Sequence, residues 1–259
     1  MVKTVIVPLD GSERADAALA PAEWLADALD ADLVLVTSTY AGDTSAHQAI
    51  LTRGLERTRC RHARAELRRG AHPAADILRV AAESPDPVIC MSTHGRRALP
   101  TMVAGSVAHE VLTRGAAPVV LVGPSFDPDR GQSDHDLVVA LQGCPEGSSP
   151  LPVSTGIAHD LDLRTHVVHV AKPTVHGDGD GTGPVAAACA RQLQHMGVDA
   201  RGWDLVGDAV APPILDLVRS LDACVLAVGR NQCPDGIERT LGRTALALLR
   251  DAPCPVMVE

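Results

Sequence analysis

Runs of apolar residues alternate with amphipathic stretches along the whole chain. The apolar runs are short and rich in β-branched residues, which is typical of strands buried on both faces. In the first half, strands are predicted at 2–9, 33–37, 63–67, 88–91 and 119–122. Helices are predicted at about 15–29, 45–58, 77–82 and 106–113. Strands that alternate with helices indicate a parallel, doubly wound α/β sheet.

The second half repeats this order of elements. Its strands are predicted near 137–141, 165–170, 199–204, 224–228 and 255–258, and its helices near 150–160, 184–196, 212–220 and 243–250. A stretch with Pro, Gly and Asp at 125–135 has no periodicity and is predicted to be a linker. We therefore expect two domains, at 1–124 and 134–259, each with a five-stranded sheet and helices on both faces.

A glycine motif is repeated together with the elements. Ser-Thr-His-Gly at 92–95 is followed after nine residues by Gly105 and Ser106, and Gly-Arg-Asn-Gln at 229–232 is followed after nine residues by Gly242 and Arg243. A fixed period of this length indicates two copies of one domain. The two copies differ at several of the motif positions.

Composition excludes some classes of function. The net charge of −9 disfavours a sequence-independent nucleic-acid or anionic-membrane surface, and 2% aromatic residues are too few for base-stacking platforms. No leader precedes the first strand, and no apolar run approaches the ~18 residues that would span a bilayer. We therefore expect a cytoplasmic protein with no membrane and no nucleic-acid partner. The seven scattered cysteines are expected to be reduced.

The candidate chemistry lies at the ends of three predicted strands. In doubly wound sheets, ligands bind beyond the carboxyl ends of the strands. Asp10 follows the first strand, Ser38 follows the second, and the motif with Gly95 follows the fourth. Gly105 and Ser106 open the next helix, where free amides and the helix dipole favour an anion. Asp10 suits the hydroxyl groups or the base amine of a nucleoside, so the three segments together point to a nucleotide.

The sequence resembles the universal stress protein family in its tandem form. The features that carry this resemblance are Pro8, Asp10, the Gly-x-x-Gly-like motif, the Gly-Ser pair nine residues after it, and the closing run at 116–122. The resemblance covers essentially the whole chain. It implies flavodoxin-like sheets of strand order 3-2-1-4-5 and a site for ATP, with ADP or AMP as alternatives and Mg²⁺ able to accompany the nucleotide. The residues expected at this site are Pro8, Asp10, Ser38, Met91, Ser92, Gly95, Gly105, Ser106 and Val107.

The departures from the family pattern limit what carries over. Ser92 stands where the first glycine is expected. In the second copy, Gln142 replaces Asp10, Gln232 replaces Gly95 and Arg243 replaces Ser106. Arg243 could fill the anion site from within or could bind an anion itself. We expect the second site to be vacant and the first to bind one adenine nucleotide.

The resemblance implies a sensing or regulatory role in stress. The alternatives are an interaction scaffold that needs no nucleotide and a slow ATPase, although no catalytic residue and no protein metal site is predicted. A protein partner is expected but not identified. The final strands, at 119–122 and 256–258, could pair within one chain and form a pseudo-dimer, with a homodimer as a further possibility.

Overall fold

A computed structural model describes residues 1–40, 42, 44–70, 72–93, 104–128, 135–141, 151–173, 184–232 and 239–259, with the backbone alone at 231, 232, 239 and 240. These residues divide into two compact units. The first comprises Met1–Pro124 and Asn231–Thr240, and the second comprises Ser125–Arg230 and Leu241–Glu259.

The first unit alternates strands and helices as predicted. Its strands are β1 (Thr4–Pro8), β2 (Asp32–Thr39), β3 (Ala63–Arg69), β4 (Pro87–Ser92) and β5 (Val119–Val122). Its helices are α1 (Glu13–Asp16), α2 (Leu19–Leu29), α3 (Ser45–Arg57), α4 (Pro73–Glu83) and α5 (Ser106–Arg114). All neighbouring strands pair in parallel, and β1 lies between β2 and β4, which gives the order β3-β2-β1-β4-β5. The predicted order 3-2-1-4-5 is confirmed.

The core of the first unit covers both faces of the sheet. Val5, Ile6 and Val7 are consecutive residues of β1 and are all fully buried. Because successive side chains of a strand point to opposite faces, apolar groups must cover the sheet on both sides. This arrangement leaves the carboxyl ends of the central strands as the place where a cavity can open.

The predicted helix at 15–29 is wrong in one respect, because it is interrupted at Ala17 and Ala18. Pro21 explains the interruption. It has no N–H to donate to the carbonyl of Ala17, and proline is tolerated only in the first turn of a helix. The second helix therefore begins at Leu19, so that Pro21 falls within its first turn.

The second unit repeats the topology. Its strands are β6 (Asp136–Leu141), β7 (Arg164–Ala171), β8 (Ala200–Val206), β9 (Val225–Val228) and β12 (Val256–Val258). Its helices are α6 (Pro152–Asp160), α7 (Val185–His195), α8 (Ala211–Leu221) and α9 (Arg243–Asp251). Parallel pairing gives the order β8-β7-β6-β9-β12, which again is 3-2-1-4-5.

A short antiparallel pair that the sequence does not predict, β10 (Asn231–Gln232) with β11 (Arg239–Thr240), lies between β9 and α9 in the chain.

A polar network links the starts of β6 and β7 to β8 in the second unit. The Asp136 carboxylate and the His166 ring are buried, with His166 Nε2 2.7 Å from Asp136 Oδ1. Trp203 Nε1 lies 3.1 Å from His166 Nδ1. Indole nitrogen only donates, so His166 Nδ1 accepts and His166 Nε2–H donates to Asp136. Arg164 Nη2 lies 3.0 Å from the second carboxylate oxygen of Asp136.

The cysteines are not uniformly reduced. Cys60, Cys90, Cys224 and Cys254 are free, but Cys189 is disulfide-bonded, so the expectation of reduced thiols is wrong at that position. Burial raises the pKa of the Cys90 thiol well above its ordinary value, which keeps this thiol protonated and unreactive. No helix in the described ranges has the length and apolar character needed to cross a membrane.

Candidate functional site

A cavity of about 520 Å³ opens at the carboxyl ends of β1, β2 and β4 in the first unit. Eight of the nine predicted site residues line it, and the ninth, Gly95, lies outside the described residues. The eight are Pro8, Asp10, Ser38, Met91, Ser92, Gly105, Ser106 and Val107. The topology brings them together because β2 and β4 both pair with β1.

The turn after β1 both caps a helix and lines the cavity. Asp10 Oδ1 accepts hydrogen bonds from Ser12 N at 2.9 Å and from Ser12 Oγ at 2.6 Å. Ser12 Oγ in turn accepts from Ala15 N at 3.2 Å and caps α1. Gly11 has a φ of +82°, a conformation that glycine adopts without strain. These bonds fix the Asp10 carboxyl at the mouth of the cavity.

The segment after β4 presents the open end of a helix. Gly105 N donates to Thr93 O at 2.6 Å, which places the start of α5 beside the end of β4. Gly105 is the N-cap and supplies no side chain to the first turn. The first N–H groups of a helix have no partner within the helix, and the helix dipole makes this end favourable for anions. Ser106 Oγ adds a hydroxyl group there.

The opposite wall of the cavity contains residues that the sequence did not single out. Its apolar part includes Val36, Pro73 and Ile77. His47, on α3, also lines the cavity, and its Nδ1 is buried with no hydrogen-bond partner among the described residues. A weak signal for His47 existed, since it is a polar residue within the first turn of a predicted helix, but the pattern cannot show which way its ring points. Leu9, Ala15, Thr37, Thr93 and Ala108 complete the lining.

Behind Ser38 lies a buried acid that sequence analysis also missed. Asp76, on α4, is 2% exposed, and its Oδ2 accepts a hydrogen bond from Ser38 Oγ at 2.5 Å. Asp76 stands on the helix face that buries Ile77 and Val80. An acid on an apolar helix face was the signal that could have drawn attention to it.

The second unit has a smaller cavity at the equivalent place. It measures about 220 Å³, and among the described residues that line it, His169 and Thr244 have polar side chains. The lining residues are Ala140, Leu141, His169, Val170, Val210, Ile214, Val228, Gly229, Thr244, Ala245 and Leu248. Arg243 is exposed and is not part of this lining. Gln142 and the side chain of Gln232 lie outside the described residues.

Within the described part of the chain, no cluster of three or more His, Cys, Asp or Glu side chains is arranged to hold a metal ion. The polar groups that line the first cavity are hydroxyls, one carboxyl and one imidazole, together with the amides at the start of α5. This combination can bind a ligand that has an anionic end and hydrogen-bonding groups at the other end. It does not by itself define a reaction.

The parallel sheets of order 3-2-1-4-5, with a cavity at the carboxyl edge, define the class of flavodoxin-like doubly wound proteins. A family model described as the universal stress protein family matches residues 1–123. The first half of the chain is therefore similar to the universal stress protein family. No curated protein sequence matches the chain.

Two solved structures are similar to the chain over nearly its whole length. A universal stress protein from Archaeoglobus fulgidus has 19% identity and a TM-score of 0.65, over 98% of this chain and 97% of that one. A protein from Pseudomonas aeruginosa has 17% identity and a TM-score of 0.64, over 99% of this chain and 92% of that one. At this sequence identity, the two structures show only that the fold is similar. The similarity of fold includes the second half of the chain, which the family model does not match.

Proposed function

We propose that the first unit binds one adenine nucleotide, ATP or else ADP or AMP, and that binding serves a sensing or regulatory role in stress. The observation that carries this proposal is the convergence of Asp10, Ser38 and the open start of α5 on one cavity. Its volume of about 520 Å³ falls within the range of roughly 300–1,000 Å³ that is usual for small-molecule sites. The match of residues 1–123 to the universal stress protein family supports the choice of ligand.

The phosphate end of the nucleotide is proposed to lie at the start of α5. The amides of the first turn and the Ser106 hydroxyl would donate to the phosphate oxygens. Asp10 would repel a phosphate beside it but accepts hydrogen bonds from hydroxyl or amine groups. Mg²⁺ would reach the site with the nucleotide, bound mainly through phosphates and water.

The second unit is proposed to be a structural or regulatory partner without a nucleotide. Its smaller cavity, which has fewer polar side chains in its described lining, and the exposed Arg243 support this assignment. The domain limits 1–124 and 134–259, the intramolecular pseudo-dimer or homodimer, the protein partner and the cytoplasmic location all belong to this proposal as well.

Calorimetric titration of ATP into the full chain tests the proposal. We expect one site per chain, lost in Asp10→Ala and retained in the matched variant Gln142→Ala. Two equal sites would contradict the assignment to the first unit. No heat, together with no nucleotide released from denatured protein, would favour the scaffold that needs no nucleotide, a reading that Ser92 in the cavity lining supports. Phosphate release that scales with protein and is lost in Asp10→Ala would favour a slow ATPase.

A further inference from the structure

The wall of the first cavity is backed by a carboxylate that is held from two sides. Asp76 Oδ2 accepts from Ser38 Oγ at 2.5 Å, and Arg79 Nη1 lies 3.6 Å from Asp76 Oδ1. The side chain of Asp76 is 3% exposed, whereas that of Arg79 is 58% exposed. The acid is thus removed from solvent but keeps a cation within reach. Its neutral hydrogen-bond partner among the described residues, Ser38, belongs to the cavity wall.

The backbone is shaped to admit this carboxylate. A Cβ placed on Gly70 would lie 2.2 Å from Asp76 Oδ2 and 2.4 Å from Asp76 Oδ1, so a side chain at 70 would displace the acid. Gly70 N donates to the carbonyl oxygen of Thr39, the residue directly after Ser38, at 3.2 Å. The contact between Ser38 and Asp76 therefore depends on a close backbone approach.

The polarity of this hydrogen bond determines what Ser38 offers to a ligand. A carboxylate only accepts, so the hydroxyl hydrogen of Ser38 is committed to Asp76. Within the described part of the chain, Ser38 Oγ makes no other hydrogen bond. It therefore presents only lone pairs to the cavity. A ligand amine can donate to it, whereas a ligand carbonyl oxygen would meet another acceptor.

With the phosphates at the start of α5, as proposed above, Ser38 lies on the side of the cavity that is left for the base. Ser38 is on β2, which is separated from β4 by β1. Two strand spacings of about 4.8 Å put it roughly 10 Å from the strand that leads to α5. The apolar side chains of Val36 and Ile77 nearby suit a flat ring. His47 Nδ1 is buried and has no partner in the described part of the chain, so a polar atom of a ligand could supply its hydrogen bond at this end of the cavity.

We propose, on the basis of the nucleotide function above, that Ser38 Oγ accepts a hydrogen bond from the exocyclic amine of a 6-aminopurine. Asp76 makes Ser38 an acceptor by binding its hydroxyl hydrogen. Ser38 is the specificity-determining residue, and Asp76 is a positioning residue that acts through it. The site thereby selects adenine over the 6-oxopurines hypoxanthine and guanine. The second unit has Val170 and Pro213 at the equivalent positions of the repeat, so this device is confined to the first unit.

The test compares dissociation constants for ATP and ITP, which differ at the 6-position of the base, in the full-length wild type and its variants. The wild type is expected to bind ATP at least about tenfold more tightly than ITP, because ITP sets a carbonyl against Ser38 Oγ. Asp76→Asn can donate its amide hydrogen to Ser38, which frees the Ser38 hydroxyl to donate to a ligand carbonyl. The ATP-to-ITP ratio should then fall to about one or invert. Ser38→Ala should lower the ratio without favouring ITP.

The outcomes separate this inference from the proposed function. ATP binding with an unchanged ATP-to-ITP ratio in both variants would overturn the role of Ser38 and leave the nucleotide function standing. A changed ratio of ATP to 2′-deoxy-ATP, with the ATP-to-ITP ratio unchanged, would assign Ser38 to the ribose and overturn the inference too. No binding of either nucleotide by the wild type would overturn both proposals. If Asp76→Asn does not fold, Ser38→Ala, which removes one half-buried hydroxyl, provides the test.

Discussion

The two units have one topology but differ in the polar groups that they bury and in where those groups lie along the strands. In the first unit, Asp10, Ser38 and Ser106 line a cavity of about 520 Å³ at the carboxyl ends of the strands. In the second, the equivalent cavity is about 220 Å³, its described lining has His169 and Thr244 as polar side chains, and Asp136 and His166 are buried near the amino ends of β6 and β7. The fold tolerates either arrangement.

This difference teaches that the fold and the site are specified by separate sets of residues. The fold requires apolar residues on both faces of each central strand, and both halves provide them. The site requires particular groups just beyond the strand ends, and only the first half has Asp10 and Gly105-Ser106 together. A duplicated domain can therefore keep its fold after the positions of its site have diverged.

The largest effect is expected from the polar network of the second unit. Asp136→Ala would leave His166 Nε2–H and Arg164 without their acceptor and should lower the free energy of unfolding by about 3 kcal/mol. Thr4 is the equivalent residue of the first unit, and its Oγ1 donates to Pro85 O at 3.1 Å. Thr4→Val should cost only about 1 kcal/mol. Urea denaturation followed by circular dichroism measures both changes.

Asp136→Asn is the control for this comparison. Its amide oxygen can still accept from His166 Nε2–H, so the loss should be clearly smaller than for Asp136→Ala. Equal, small losses in Asp136→Ala and Thr4→Val would show that the network does not distinguish the two units.

The next largest effect concerns the helix starts that follow the two glycine motifs. Gly105 and Gly242 have nearly identical backbone angles, with φ/ψ of −66°/164° and −65°/162°, which any residue can adopt. Gly105→Glu should therefore fold, but its carboxylate would occupy and repel the phosphate position and lower ATP affinity about a hundredfold. Gly242→Glu should leave ATP affinity unchanged in calorimetry. Equal losses in the two variants would refute a site confined to the first unit.

A smaller effect is expected from the glycines that precede α4 and α8. Gly70→Ala would drive a Cβ into both carboxylate oxygens of Asp76, and a loss of stability of about 2 kcal/mol is expected. Gly207→Ala meets Pro213 Cγ at 2.9 Å and Ala209 O at 3.0 Å, a less severe clash. In thermal unfolding, the midpoint temperature of Gly70→Ala should be lower than that of Gly207→Ala. The reverse order would contradict the proposed contact between position 70 and Asp76.

The smallest effect comes from the edge strands. Burial acts to raise the pKa of Glu66 on β3, but Arg64 and Arg68 outweigh it and hold the pKa below its ordinary value. The stabilisation is therefore present above the unfolded-state pKa and lost as pH falls through the folded-state pKa. Glu66→Gln should cost at most about 1 kcal/mol at neutral pH and nothing below both pKa values.

The equivalent of Glu66 in the second unit is Trp203, over which Arg201 stacks at 4.6 Å from the ring centroid. This contact has no carboxylate to titrate. Arg201→Gln removes the cation from this stack and leaves the hydrogen bond from Trp203 to His166 in place, so it should change stability by the same amount at acidic and neutral pH in urea denaturation. A loss that disappears in acid, as expected for Glu66→Gln, would show that the two edges are stabilised alike.

The sequence predicts the elements well because each central strand is a short apolar run between amphipathic helices. Val119–Val122 has the predicted bounds, and the strand order follows from a fold class with few alternatives. The interruption of the first helix was missed, although Pro21 could have predicted it. The β10–β11 pair is two residues long on each side, which is too short for any periodicity.

The candidate site was predictable only where its residues follow strands. Asp10, Ser38 and Ser106 lie at strand ends or helix starts, which the pattern identifies. Asp76 and His47 lie within helices, and their places in the site depend on contacts distant in sequence. The bond from Ser38 to Asp76 spans 38 residues and needs Gly70 to make room. An acid on the apolar face of α4 is a local signal that Asp76 is unusual, but nothing near it in the sequence identifies Ser38 as its partner.

The sequence contains two tryptophans, and each unit holds one, Trp24 on α2 and Trp203 on β8. The chain therefore carries one intrinsic fluorophore for each half. In Trp24→Phe the remaining emission reports on the second unit, where the indole lies between an imidazole and a guanidinium. In Trp203→Phe it reports on the unit with the larger cavity. A single titration, observed in both backgrounds, would reveal whether the halves respond separately or together.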